Sequence, residues 1–169
     1  MKPSLYLFII FILPLLSRSQ DSAIIKKIDS ISQFDYDHSD SIQHYLTTTD
    51  FFNTGGGTML HLYKYRDTIN RIVCISRHPS GEYAIEFYLY NEQPVFIFET
   101  TSYAREKAPT WSVKNFMQIH ASDHRYYFWD KKLANSYGTG TDPKRSIPEH
   151  IKQLTNACTH IINWCRKAG

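Results

Sequence analysis

Between Thr58 and Tyr103 four stretches of aromatic and β-branched residues are separated by short polar breaks: Arg66-Asp67, His78-Pro79-Ser80-Gly81 and Asn91-Glu92-Gln93. Connections this short permit only antiparallel neighbours, because a parallel crossover needs about a dozen residues or more. The stretches, about 58 to 66, 69 to 77, 82 to 90 and 94 to 102, therefore read as a meander. The sequences leading into three turns also look alike: LYKYRD ends at Asp67, EFYLYN at Asn91 and RYYFWD at Asp130. In that register they form an internal repeat. Strand alternation then places Tyr63, Tyr65, Phe87, Leu89, Tyr126 and Phe128 on one face, and Lys64, Arg66, Tyr88, Tyr90, Tyr127 and Trp129 on the other. The following VFIFE is apolar at consecutive positions, which suits a strand covered on both faces.

Helical periodicity frames this region. Ile24, Ile25, Ile28 and Ile31 line one face of an amphipathic helix starting near Ser22, and Ile42, Tyr45 and Leu46 fit a second short helix ending before the threonines at 47 to 49. Residues 104 to 121 fit either period, and we read them as strand, with a turn at 122 to 124 into RYYFW. From Tyr137 the run GTGTDP reads as loop. Ser146 and Glu149 then form a capping box for a terminal helix over about 147 to 166, whose stripe of Ile151, Leu154, Cys158, Ile161, Ile162 and Cys165 must pack on the sheet. The expected fold is α+β: N-terminal helices, an antiparallel β-meander of about six strands and a C-terminal helix packed on it.

The hairpin YYFWDKKL, Tyr126 to Leu133, resembles those of small exported proteins of unassigned activity whose sheets carry repeated tyrosine-rich hairpins of the form YYFxDxxL. That resemblance covers about half the chain. It implies an exported α+β domain and no catalytic residues.

The first residues agree with export. Lys2, an apolar run from Leu5 to Leu16 broken by Pro14, and Ser17 and Ser19 around Arg18 read as a signal peptide over residues 1–19, leaving 20–169 as a single domain. The run is too short for a membrane span, which needs about 20 apolar residues. Without Lys2 and Arg18 the formal charge falls from +3 to +1, and no long basic block remains, so nucleic acid is not an expected partner. The expected location is secreted or periplasmic.

No motif in the chain fixes a reaction. His78-Pro79-Ser80-Gly81 reads as a hairpin turn, the GGG at 55 to 57 lacks the lysine and hydroxyl of a phosphate loop, and no cofactor is expected. His120, Asp123 and His124 spell HxxDH, which on a helix would let two imidazoles share a metal, but Ala121 stands where a zinc protease needs glutamate. If the segment is instead a turn, they are surface histidines. Cys158 and Cys165 lie two helical turns apart, about 10 Å along the axis, too far to bridge each other. Cys74 can then pair with either one, or all three serve as small buried apolar residues. For function this leaves the second aromatic set, Tyr88, Tyr90, Tyr127 and Trp129, as a binding surface for a protein or a glycan, since such rings give contact area at little entropic cost. The expected function is a non-enzymatic binding module. A hydrolase with a dispersed site and a structural envelope component are the alternatives.

Overall fold

The two-residue breaks do close hairpins. The computed structural model describes residues 22–49, 51–52, 57–78, 81–106, 116–140 and 148–168. Seven strands, β1 (Ser41–Thr47), β2 (Thr58–Tyr65), β3 (Thr68–His78), β4 (Gly81–Tyr90), β5 (Gln93–Glu106), β6 (Phe116–Trp129) and β7 (Lys132–Gly140), pair in chain order into one antiparallel sheet. Helix α1 (residues 22–37) precedes the sheet and α2 (Pro148–Ala168) follows it. Among the described residues, no helix is long and apolar enough to cross a membrane. The signal-peptide reading and the Ser146 cap fall outside the described residues.

In three hairpins both turn residues hold positive φ: Arg66 and Asp67, Asn91 and Glu92, Asp130 and Lys131. This left-handed pair matches the right-handed twist of the flanking strands. Arg66, not Asp67, is therefore the counterpart of Asn91 and Asp130, and the first repeat must be moved by one residue. A one-residue slip exchanges faces. Tyr63 and Tyr65 join Tyr88 and Tyr127, while buried Leu62 joins Phe87 and Tyr126. Each turn is followed by a shift in register, between Tyr63 and Lys64, Tyr88 and Leu89, and Tyr127 and Phe128, which leaves Asn70, Val95 and Ala134 as extra residues on the returning strands. At the opposite end Gly81 holds φ 155°, and a Cβ there would lie 2.1 Å from the Ser102 carbonyl oxygen, so β4 and β5 approach this closely only around glycine.

The helices take opposite faces. Helix α2 lays Ile151, Leu154, Cys158, Ile161, Ile162 and Cys165 on Leu60, Leu62, Ile72, Ile85, Phe87, Ile97 and Tyr126. Arg166 near its C-terminus pairs with Glu92 of the β4–β5 turn. A second, smaller cluster joins Ile28 of α1 to Val95 and Tyr127, with Ile24, Ile25, Ile31, Phe96 and Trp129 around it. The central strands are thus covered on both sides, as the unbroken apolar run VFIFE requires.

The structure corrects several boundaries. Ser41–Thr47 is a strand and not a second helix: its apolar residues fit a helical period, but pairing with β2 along its whole length outweighs local preference. Residues 122 to 124 continue β6 without a turn, and β7 runs to Gly140 where a loop is expected from Tyr137. The sheet accordingly has seven strands and one N-terminal helix, where about six strands and more than one helix are expected. The strand reading of 104 to 121 holds for 104–106 and 116–121.

Candidate functional site

One transverse row organises the α1 face. Tyr63 pairs with Arg71, Arg71 with Tyr88, Tyr88 with Phe96, Phe96 with Tyr127 and Tyr127 with Asn135, so six side chains from six successive strands stand side by side. Tyr88 and Phe96 rings lie 5.4 Å apart and Phe96 and Tyr127 rings 5.0 Å apart, within the range of favourable ring contacts. Helix α1 crosses this row from Trp129, whose ring carries Lys27 at 4.4 Å, to Tyr65, against which Phe34 packs edge-on.

Extra residue Asn70 anchors the end of the helix. Its side-chain amide donates to the carbonyls of Asp35 and His38, both 3.2 Å away, satisfying groups that a helix C-terminus leaves open. Asp40 adds a second tie by accepting from the Arg66 amide. Beside Asn70, Arg71 is buried with its cation 3.7 Å from the Tyr63 ring centroid and 4.7 Å from that of Tyr36. A desolvated contact of this kind contributes about 2 kcal/mol. Glu86 lies 4.0 Å from Arg71 and accepts the Tyr88 hydroxyl at 2.8 Å. Burial, then the Glu86 charge, pushes the Tyr88 phenol well up, so it stays a neutral donor.

Between α1 and this row lies a groove of about 400 Å³ lined by Asp29, Ser32, Gln33, Tyr36, Tyr88, Phe96, Arg125 and Tyr127. Burial first and the Asp29 carboxylate second raise the Tyr127 pKa, and the Tyr127 hydroxyl bonds Asp29. A further cavity of about 410 Å³ at the hairpin tips is lined by Tyr90, Pro94, Val95, Phe128 and Trp129 with the polar turn residues. The four expected binding residues thus divide between two concavities. They do not form one open face, because α1 covers the middle: Tyr88 and Tyr127 are buried, Trp129 is half-buried and Tyr90 is 50% exposed. Sequence reading missed Asp29, Gln33, Tyr36, Arg71 and Arg125. The usable signal was the polar side of α1, which alternates with its isoleucine stripe.

Residues His120, Asp123 and His124 lie on one strand, where four residues span about 13 Å, and not on the helix that the HxxDH spacing needs to bring two imidazoles together. Among the described residues no group of three or more His, Cys, Asp or Glu could hold a metal ion. The His124 ring stacks on Tyr126. Cys74, Cys158 and Cys165 are free, buried thiols within the α2 layer, and no bridge joins Cys74 to either partner. Burial pushes all three thiols up, Cys158 to about 12, so they pack as neutral apolar groups.

Under the start of α2 sits a cluster with no sequence signature. Fully buried Glu99 accepts from the hydroxyls of Tyr83 at 2.5 Å and Tyr126 at 3.0 Å, and His150 Nε2 lies 3.2 Å from its Oε1 and 3.1 Å from its Oε2. The residues come from β4, β5, β6 and α2, and only the fold brings them together. Their arrangement ties the helix to the sheet. No family model, curated protein or solved structure matches the chain.

Proposed function

We propose that the protein is an exported binding module that takes a glycan in the groove between α1 and the aromatic row. The supporting observation is the lining itself: the rings of Tyr36, Tyr88, Phe96 and Tyr127 stand with Asp29, Ser32, Gln33 and Arg125 around one concave space of about 400 Å³. Rings of this kind cover the apolar faces of a sugar, while carboxylate, amide, hydroxyl and guanidinium groups bond its hydroxyls. A concave mixed surface suits a small ligand better than a flat protein face. The export reading rests on the charged start, short apolar run and Ser-x-Ser site of residues 1–19.

A panel of envelope-derived and matrix oligosaccharides tested by calorimetry checks this reading. Gln33→Ala and Arg125→Ala alter exposed residues of the groove and should each weaken binding about tenfold, the worth of one good hydrogen bond to a polar or charged group, with an unchanged thermal midpoint. Binding insensitive to both, or no binding across the panel, defeats the proposal. A hydrolytic reading draws instead on the Glu99–His150 pair, since a carboxylate and an imidazole 3.1 Å apart can pass a proton. Cleavage of a bound glycan that disappears in His150→Ala would favour it.

A further inference from the structure

The geometry points to a second site of a different kind: we propose that His44 and His61 chelate a divalent cation that favours imidazole nitrogen, copper(II) or zinc, across the outermost two strands of the sheet. His44 and His61 are direct partners in the β1–β2 register. Their Nδ1 atoms lie 2.5 Å apart and their ring planes meet at 83°. Two nitrogens at that distance share one proton between their facing lone pairs. A cation takes the proton's place. With metal–nitrogen distances of about 2.0 to 2.1 Å and bond angles between square and tetrahedral, the nitrogens must stand about 2.9 to 3.4 Å apart. The rings therefore separate by less than about 1 Å, which a small rotation of two side chains at the sheet's edge supplies.

The surroundings suit such a cation. Ile42 and Leu46 flank His44 on the same side of β1 and are exposed, which leaves room for water in the remaining coordination positions. Imidazole pairs select copper, nickel and zinc over magnesium and calcium, which take oxygen ligands, and among the former copper(II) binds most tightly. The cation would pin β1, an edge strand paired only with β2, to the rest of the sheet.

The test uses the full chain stripped with chelator and titrated with copper(II), zinc or magnesium salts. Calorimetry should give one site per chain, tighter for copper than for zinc, with no heat from magnesium. Copper's paramagnetism should broaden amide signals of Ser41–Thr47 and Thr58–Tyr65 before others. His44→Ala and His61→Ala should each weaken binding at least tenfold, whereas His38→Ala and His160→Ala should not. The metal-free midpoints of these variants report whether each is folded. No binding by the wild-type chain overturns the site, as does binding that survives in both folded His44→Ala and His61→Ala.

Discussion

Asp35 is the residue whose chemistry most depends on the fold. It lies in the last turn of α1 with 5% of its surface exposed, and its Oδ2 is buried without a hydrogen-bond partner. Burial raises its pKa from 3.8 to about 7, against the opposing pull of Asn70, Arg71 and the Leu89 backbone. A carboxyl raised in this way favours the folded state when protonated. Its contribution is complete below about pH 3.8 and is lost as pH rises to about 7. In Asp35→Asn that slope should vanish: thermal midpoints measured from pH 4 to 8 should fall less than in the wild type, by a few degrees over this window. Parallel curves for the two proteins would show that the carboxyl titrates normally. Nothing in the sequence from Asp35 to Ile42 announces this, because Asn70, Arg71 and Leu89, which surround the carboxyl, lie more than thirty residues away.

Hairpins were the most legible elements. Polar breaks of two to four residues and alternating aromatics located β2 to β5 to within a few residues, since a short turn leaves the chain no alternative to antiparallel pairing. Alignment by Asp67, Asn91 and Asp130 nevertheless misplaced one strand's faces, because the choice of which polar residue enters the left-handed pair is made by strand register and not by residue type. Arg66, Glu92 and Lys131 take positive φ without the local hydrogen bonding that helps asparagine and aspartate, at a cost of about 1 kcal/mol each. Lys131→Gly, which leaves an Asp-Gly pair in the turn, should therefore raise stability by about 1 kcal/mol in chemical denaturation. A loss of stability would mean the Lys131 side chain matters more than its backbone. Strand β1 was illegible for a different reason: Ile42, Tyr45 and Leu46 satisfy a helical period, and only the presence of β2 decides against it.

Across the whole molecule, two helices divide the sheet into a largely apolar side under α2, with Glu99 buried beneath the start of that helix, and a mixed side under α1. The α2 stripe could be read directly from its spacing, and so could the isoleucine face of α1. That α1 would lie over Tyr88 and Tyr127 could not, because no local pattern says which sheet face a helix chooses. This placement turns an expected aromatic surface into a groove and a second cavity at the hairpin tips. Ile28→Ala, removing a fully buried contact of α1, should cost about 2 to 5 kcal/mol, and a negligible change in the denaturation midpoint would show that α1 does not hold this face. The most direct test of the groove is an amide chemical-shift map of the isotope-labelled protein titrated with the best oligosaccharide of the binding panel. The account predicts shifts concentrated at Asp29, Ser32, Gln33 and Tyr36 of α1 and at Tyr88, Phe96, Arg125 and Tyr127 of the sheet, saturating together. Shifts gathered instead on the α2 side, or on the outer strands β1 and β7, would contradict it.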